Sequence, residues 1–146
     1  MNTILFLPSL FMIVMLFGSG SSQDQETAQG YILERDSEVQ HEEPGPHDGS
    51  GTTTAFRFFE KASPAFELAF RKRTLHPGAS IGYHLQKDDE VYYVLSGTGE
   101  MAMNGKTFQV GAGDAILTRP GSSHGLKQTG KDDLTILIVY RLINGN

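Results

Sequence analysis

From Ala55 onward the chain is written in short apolar runs separated by turn signals, the texture of an all-β sandwich or barrel. FELAFRKRTL (66–75) alternates, with Phe66, Leu68 and Phe70 on one face and Glu67, Arg71 and Arg73 on the other. HPGAS turns the chain at 76–80. Strands are predicted over 80–86 and 90–95, flanking the polar Lys87-Asp88-Asp89. Asn104-Gly105 is a strong short hairpin signal and joins EMAM to KTFQV. Further strands follow at 115–118, 124–128 and 134–140. Eight or nine short strands in this span fit a closed or jelly-roll barrel, which leaves few exposed edges. Phe66, Phe70, Phe108, Ile116, Leu126, Leu137 and Val139 are the expected core.

Upstream the texture changes. Residues 23–54 are polar, acidic and broken by Pro and Gly, with no apolar periodicity to build a core. They read as a polar N-terminal arm preceding a barrel over 55–146. His41, Glu42, Glu43, His47 and Asp48 offer metal-ligating groups within it, but the Pro-Gly-Pro interruption fixes no face on which they converge. A solvated loop, or an arm laid on a neighbouring subunit, is the competing reading. Residues 1–17 carry no charged side chain, and an apolar stretch from Ile4 to Phe17 runs into GSGSS. That is the layout of a secretory signal peptide over 1–22. The apolar run is shorter than the roughly 20 residues a spanning helix needs, so no stable membrane anchor is expected. The expected location is secreted or periplasmic.

Composition narrows the function. The chain has 146 residues, room for one domain with a proper core. Its formal charge of -5 leaves no basic stripe to follow a phosphate backbone, so nucleic acid is not an expected partner. Cysteine is absent, which excludes disulfides, thiolate ligands and a nucleophilic thiol.

The chemistry sits in GASIGYHLQKDDEVYYVLSG and GDAILTRPGSSH. His84 and Gln86 are two apart on a strand and point to one side; Glu90 opens the next strand, and His124 follows a Pro-Gly turn. Two imidazoles and a carboxylate from separate strands can converge inside one barrel on a divalent first-row metal, and Gln86 adds a neutral oxygen. If Glu90 points inward, so do Tyr92 and Val94, placing a phenol near the metal as a hydrogen-bond donor or acid, while Tyr93 faces out. Arg71 and Arg73 share a face; either they hold a carboxylate substrate from a barrel wall or they decorate a solvated edge strand. His76, in a turn beside Pro77, is not an expected ligand.

Gly78, His84, Glu90 and Gly97, followed by Gly113, Gly121 and His124, match the two spaced motifs of the cupin family in order. The resemblance covers roughly Phe66 to Tyr140, and this chain is similar to small type-2 cupins. It departs from them at Gln86, where a second His is usual; at Arg119, where a Pro is usual; and at Gln128, where an Asn is usual. The resemblance implies a cupin-like jelly-roll β-barrel with one divalent metal ion (Fe, Mn, Ni or Zn) on His84, Gln86, Glu90 and His124. Three functions follow from it. One is a metal-dependent oxidoreductase or lyase, an oxygenase or decarboxylase acting on a small oxygen-rich molecule. The second is a non-catalytic, metal-supported binder of a sugar or sugar acid. The third is an assembly module in which the arm or an edge near Thr52–Phe59 pairs in a homodimer. Against oxalate chemistry in particular stand the incomplete histidine set and Ile81-Gly82 before the first ligand, where a carboxylate-gripping Arg would help.

Overall fold

The computed structural model describes residues 30–62 and 66–142. The expected signal peptide lies outside the described residues, and among those described no helix is long and apolar enough to cross a membrane. A single helical turn, α1 (Asp36–Val39), precedes ten strands: β1 (Gln40–Pro44), β2 (Thr52–Phe58), β3 (Leu68–Leu75), β4 (Ser80–Leu85), β5 (Glu90–Ser96), β6 (Thr98–Met103), β7 (Lys106–Gly111), β8 (Ala115–Thr118), β9 (Ser123–Gln128) and β10 (Leu134–Arg141). They form two antiparallel sheets, ordered β1-β2-β3-β10-β5-β8 and β4-β9-β6-β7. This is an all-β jelly-roll.

Side chains of alternating positions meet between the sheets. On β5, Glu90, Tyr92 and Val94 are buried while Val91, Tyr93 and Leu95 are exposed, the inward and outward sets the sequence predicts. Leu75, Met101, Leu126, Leu134 and Ile136 are among the side chains that fill the centre. The β6–β7 hairpin turns on Asn104 (φ 48°) and Gly105 (φ 77°), both left-handed as a two-residue turn of this hand requires.

Two strands have the opposite phase to the expected one. On β10 the buried residues are Leu134, Ile136 and Ile138, and Leu137 and Val139 are half-buried. The run LTILIVY is apolar on both faces, so alternation could not fix its phase. On β3 the buried residues are Ala69, Arg73 and Leu75, whereas Phe66 and Leu68 are exposed. Phe70 and Phe66 instead pack with Phe59, with ring centroids 6.4 and 5.9 Å away. Phe108 is 41% exposed because β7 is an edge strand. Leu126 is buried, and Ile116 packs against the core.

The polar segment is joined to the barrel from Gln40 onward. β1 pairs along β2 from Gln40↔Phe56 to Pro44↔Thr52, and β2 pairs with β3. Neither β2 nor β3 is therefore an edge, which corrects both the edge expected near Thr52–Phe59 and the solvated edge strand expected for Arg71 and Arg73. What replaces an apolar face on β1 is an ion pair. Arg73 donates through Nη2 to Glu43 Oε1 (2.6 Å) and through Nη1 to Thr53 Oγ1 (2.7 Å). Glu43 Oε2 also accepts from Arg57 Nη2 at 2.7 Å and lies 3.0 Å from His41 Nε2.

Gln128, one of the departures from the family pattern, ties two loops to the end of β9. Its Oε1 accepts from Gly78 N (2.9 Å) in the β3–β4 turn, and its Nε2 donates to Gly130 O (2.7 Å) and Asp132 O (2.8 Å) in the β9–β10 loop. Gln128→Ala strands three main-chain groups beside a buried site. At about 1 kcal/mol per hydrogen bond it should lower stability by about 3 kcal/mol in urea denaturation, with Gln128→Asn in between.

Candidate metal centre

His84 and His124 are directly opposed on β4 and β9 of the four-stranded sheet. Glu90 comes from β5 of the facing sheet, between Thr118 and Tyr140. One potential ligand atom from each of His84, Glu90 and His124 lies within 4.8 Å of the others, and Glu90 and His124 are buried. The two imidazole centroids are 4.5 Å apart. A shift in the β4–β9 register between Ile81 and His84 brings the two histidines opposite each other.

Both imidazoles are oriented by a neighbour. His84 Nδ1 lies 2.8 Å from Gly82 O. A carbonyl can only accept, so Nδ1 carries the proton and Nε2 keeps its lone pair, the tautomer a metal ligand needs. The Tyr92 hydroxyl lies 3.2 Å from His124 Nε2. Burial, together with the Glu90 carboxylate beside it, pushes the Tyr92 phenol well above its usual range, so it remains a proton donor.

The donors fit a cation. Glu90 Oε2 is 3.3 Å from His124 Nε2 but makes no aligned hydrogen bond, and both it and His124 Nδ1 are buried without a partner. Orphaned polar atoms of this kind are costly unless another group supplies the missing contact. One carboxylate and two imidazoles, with no sulfur, suit a divalent first-row ion with open positions.

Gln86 follows β4 and is half-buried; its main-chain N donates to Ser122 O and its main-chain O accepts from Gly121 N, tying it to the turn before His124. The acidic segment forms no second cluster of metal-ligating groups among the described residues. His41 and Glu43 belong to the Arg73 network. His76 bridges Thr54 Oγ1 (2.9 Å) and Asp133 Oδ1 (3.0 Å), a structural role in keeping with its expected absence from the ligands.

The sequence offers His47 only as one of the metal-ligating groups of the polar segment and does not join it to this site. Its ring stacks on His84 at 3.6 Å between centroids and 9° between planes. An imidazole binds a metal in its own plane, and two parallel planes this far apart do not meet at one ion, so His47 is a wall of the site beside a ligand. Burial and the neighbouring His84 lower its pKa, keeping it neutral. His47 and Asp48 are both left-handed (φ 55° and 60°), a strained conformation for two successive non-glycine residues. The loop is strapped to β4 by Gly82 N→Pro46 O (2.9 Å) and Ser80 N→Ser50 O (2.9 Å). A Cβ on Gly82 would sit 1.8 Å from His47 O, so only glycine admits the loop there.

Comparison with known proteins agrees with this geometry. The Cupin domain family model matches residues 72–140. A crystal structure from Thermotoga maritima described as a predicted oxalate decarboxylase is 31% identical, with a TM-score of 0.70, covering 77% of this chain and 100% of that one. This chain belongs to the cupin superfamily. A Thermotoga maritima relative described as an oxalate-binding protein is 40% identical to this cupin over 75 residues, 51% of this chain and 62% of the relative. This cupin thus spans less than two thirds of the length of the curated relatives it matches. The polyketide cyclase of Streptomyces resistomycificus, 22% identical with a TM-score of 0.64 and coverage of 77% of this chain and 80% of that one, shares the fold.

Proposed function

We propose that this cupin is an exported protein that binds a small carboxylate of the oxalate class at a divalent metal centre held by His84, Glu90 and His124, with Gln86 as a fourth, weaker oxygen donor. The observation that carries the reading is the convergence of the three groups from both sheets, with buried carboxylate and imidazole atoms left unpartnered. A divalent ion there would supply a Lewis acid able to take carboxylate oxygens at its open positions. The protein's own residues supply the surroundings. Tyr92, held protonated, can donate to a bound anion. His47 walls the site as a neutral ring. Arg73, paired with Glu43 and Thr53, contributes only its charge, which acts on both of them.

Turnover is the second reading, favoured by Tyr92 as a positioned acid 3.2 Å from His124. The relatives described as oxalate-binding and as a predicted oxalate decarboxylase support the two readings in turn. Calorimetric titration with oxalate, with and without Mn(II), together with an assay for carbon dioxide and formate, separates them. Metal-dependent oxalate binding without product supports the binder; product supports the enzyme; no binding of metal or of oxalate rejects both. Sequencing the N-terminus of the exported protein tests cleavage near residue 22.

A further inference from the structure

Arg57 and Arg71 are direct cross-strand partners on β2 and β3, on the same face as Arg73. Like charges in that relation repel. Compensation is thin: Glu43 is shared between Arg57 (2.7 Å) and Arg73 (2.6 Å), and Glu60 stands 3.9 Å from Arg71 with its side chain 57% exposed. Lys61 adds a further cation. Arg57, Arg71, Arg73 and Lys61 are thus accompanied by Glu43, Glu60 and Glu34, whose Oε2 accepts from Phe59 N at 2.6 Å, within a chain whose formal charge is -5.

Arg57 and Arg71 border a cavity of about 470 Å³, within the range of small-molecule sites, together with Phe58, Phe59, Phe66 and Phe70. These rings pack on one another at centroid separations of 5.9 to 6.4 Å, in tilted and edge-on contacts. Arg71 is further fixed over the Tyr140 ring, 5.4 Å from its centroid. Ala69, also on the cavity wall, is in register with Tyr140, which in turn is in register with Glu90. The cavity therefore lies at the end of the six-stranded sheet that carries Glu90.

We infer that this cavity is a second binding site, taking a monocarboxylate with an aromatic or short aliphatic body whose carboxylate is gripped by Arg57 and Arg71. Paired planar guanidiniums match a carboxylate bidentately. The phenylalanine walls receive the apolar body and penalise a strongly hydrated dianion such as phosphate. The site needs no metal and does not rest on the proposed function.

Phenylacetate, phenylacetamide and acetate are the probes, titrated into the protein as purified and again in excess chelator. Phenylacetate should bind saturably under both conditions, with acetate and the neutral amide at least tenfold weaker. Arg71→Gln should weaken phenylacetate at least tenfold, Arg71→Lys less, and Phe66→Ala severalfold, while Glu90→Gln leaves it unchanged. Should Arg71→Gln fail to fold, Arg71→Lys and Phe66→Ala carry the test. Absence of saturable binding, or equal binding of the amide, overturns the inference. So does phenylacetate binding that survives Arg71→Gln but is lost with Glu90→Gln or chelator; that last result would place the carboxylate at the metal and leave the proposed function standing.

Discussion

Glu90→Ala is expected to lower affinity for Mn(II) or Zn(II) by more than about 100-fold, since loss of a mere supporting partner already costs 10–100-fold. Glu90 is the sole anionic group among the three converging donors. The thermal response should separate a ligand from a structural carboxylate. Wild type in metal at a hundred times its dissociation constant should gain about 2.7 kcal/mol, and the variant less than about 0.4 kcal/mol. In chelator the order should change. Glu90 Oε2 is buried and unpartnered, so replacing the charged carboxylate by a neutral amide relieves part of a desolvation penalty of about 1–3 kcal/mol, and Glu90→Gln should be as stable as wild type or more so. Equal metal-dependent shifts in wild type and Glu90→Ala, read by calorimetry, would remove Glu90 from the centre.

The second large effect is expected at Glu43. Glu43→Ala leaves the buried Arg73 guanidinium without its carboxylate, a loss of about 3 kcal/mol, at the low end for buried pairs because Glu43 keeps some solvent. That corresponds to a melting point lower by roughly 10–20 °C in a domain of this size. pH gives an independent reading. Burial alone would raise the Glu43 pKa, but the Arg73 hydrogen bond and charge, then Arg57 and His41, hold it below the ordinary value of 4.5. A carboxylate depressed in the folded state contributes its full stability above its unfolded pKa and loses it as pH falls through the folded value. Wild type should therefore lose stability below about pH 4.5 more steeply than Glu43→Gln. Parallel acid limbs for the two proteins would show that the pair contributes nothing there.

The parts of this molecule legible in its sequence are those encoded by short-range spacing. His84, Glu90 and His124 announce themselves because strand alternation and Gly-punctuated turns fix which way each points, and the Asn104-Gly105 hairpin does so for the same reason. Tyr92 faces inward and Tyr93 outward for the same cause. Arg73 was illegible as an inner residue because its carboxylate, Glu43, lies 30 residues upstream in a strand of apparently loop-like composition. Charge alternation on β3 looked like a solvated face when it was one half of a buried pair. His47 was hidden by distance too, since the contact with His84 is set by main-chain hydrogen bonds. One signal was available: Gly82, a glycine inside a strand next to a ligand, marks a place where another backbone comes close.

The strapping of residues 45–51 across β4 bears on how this barrel can be cut or transplanted. The family match begins at Lys72, inside β3, as though the preceding residues were an optional preamble. Main-chain bonds from Pro46 and Ser50 to β4, and the Glu43 carboxylate on Arg73, make them part of the same compact unit. A graft of the two histidine motifs onto another scaffold would carry the ligands and leave behind the ring that His84 leans on.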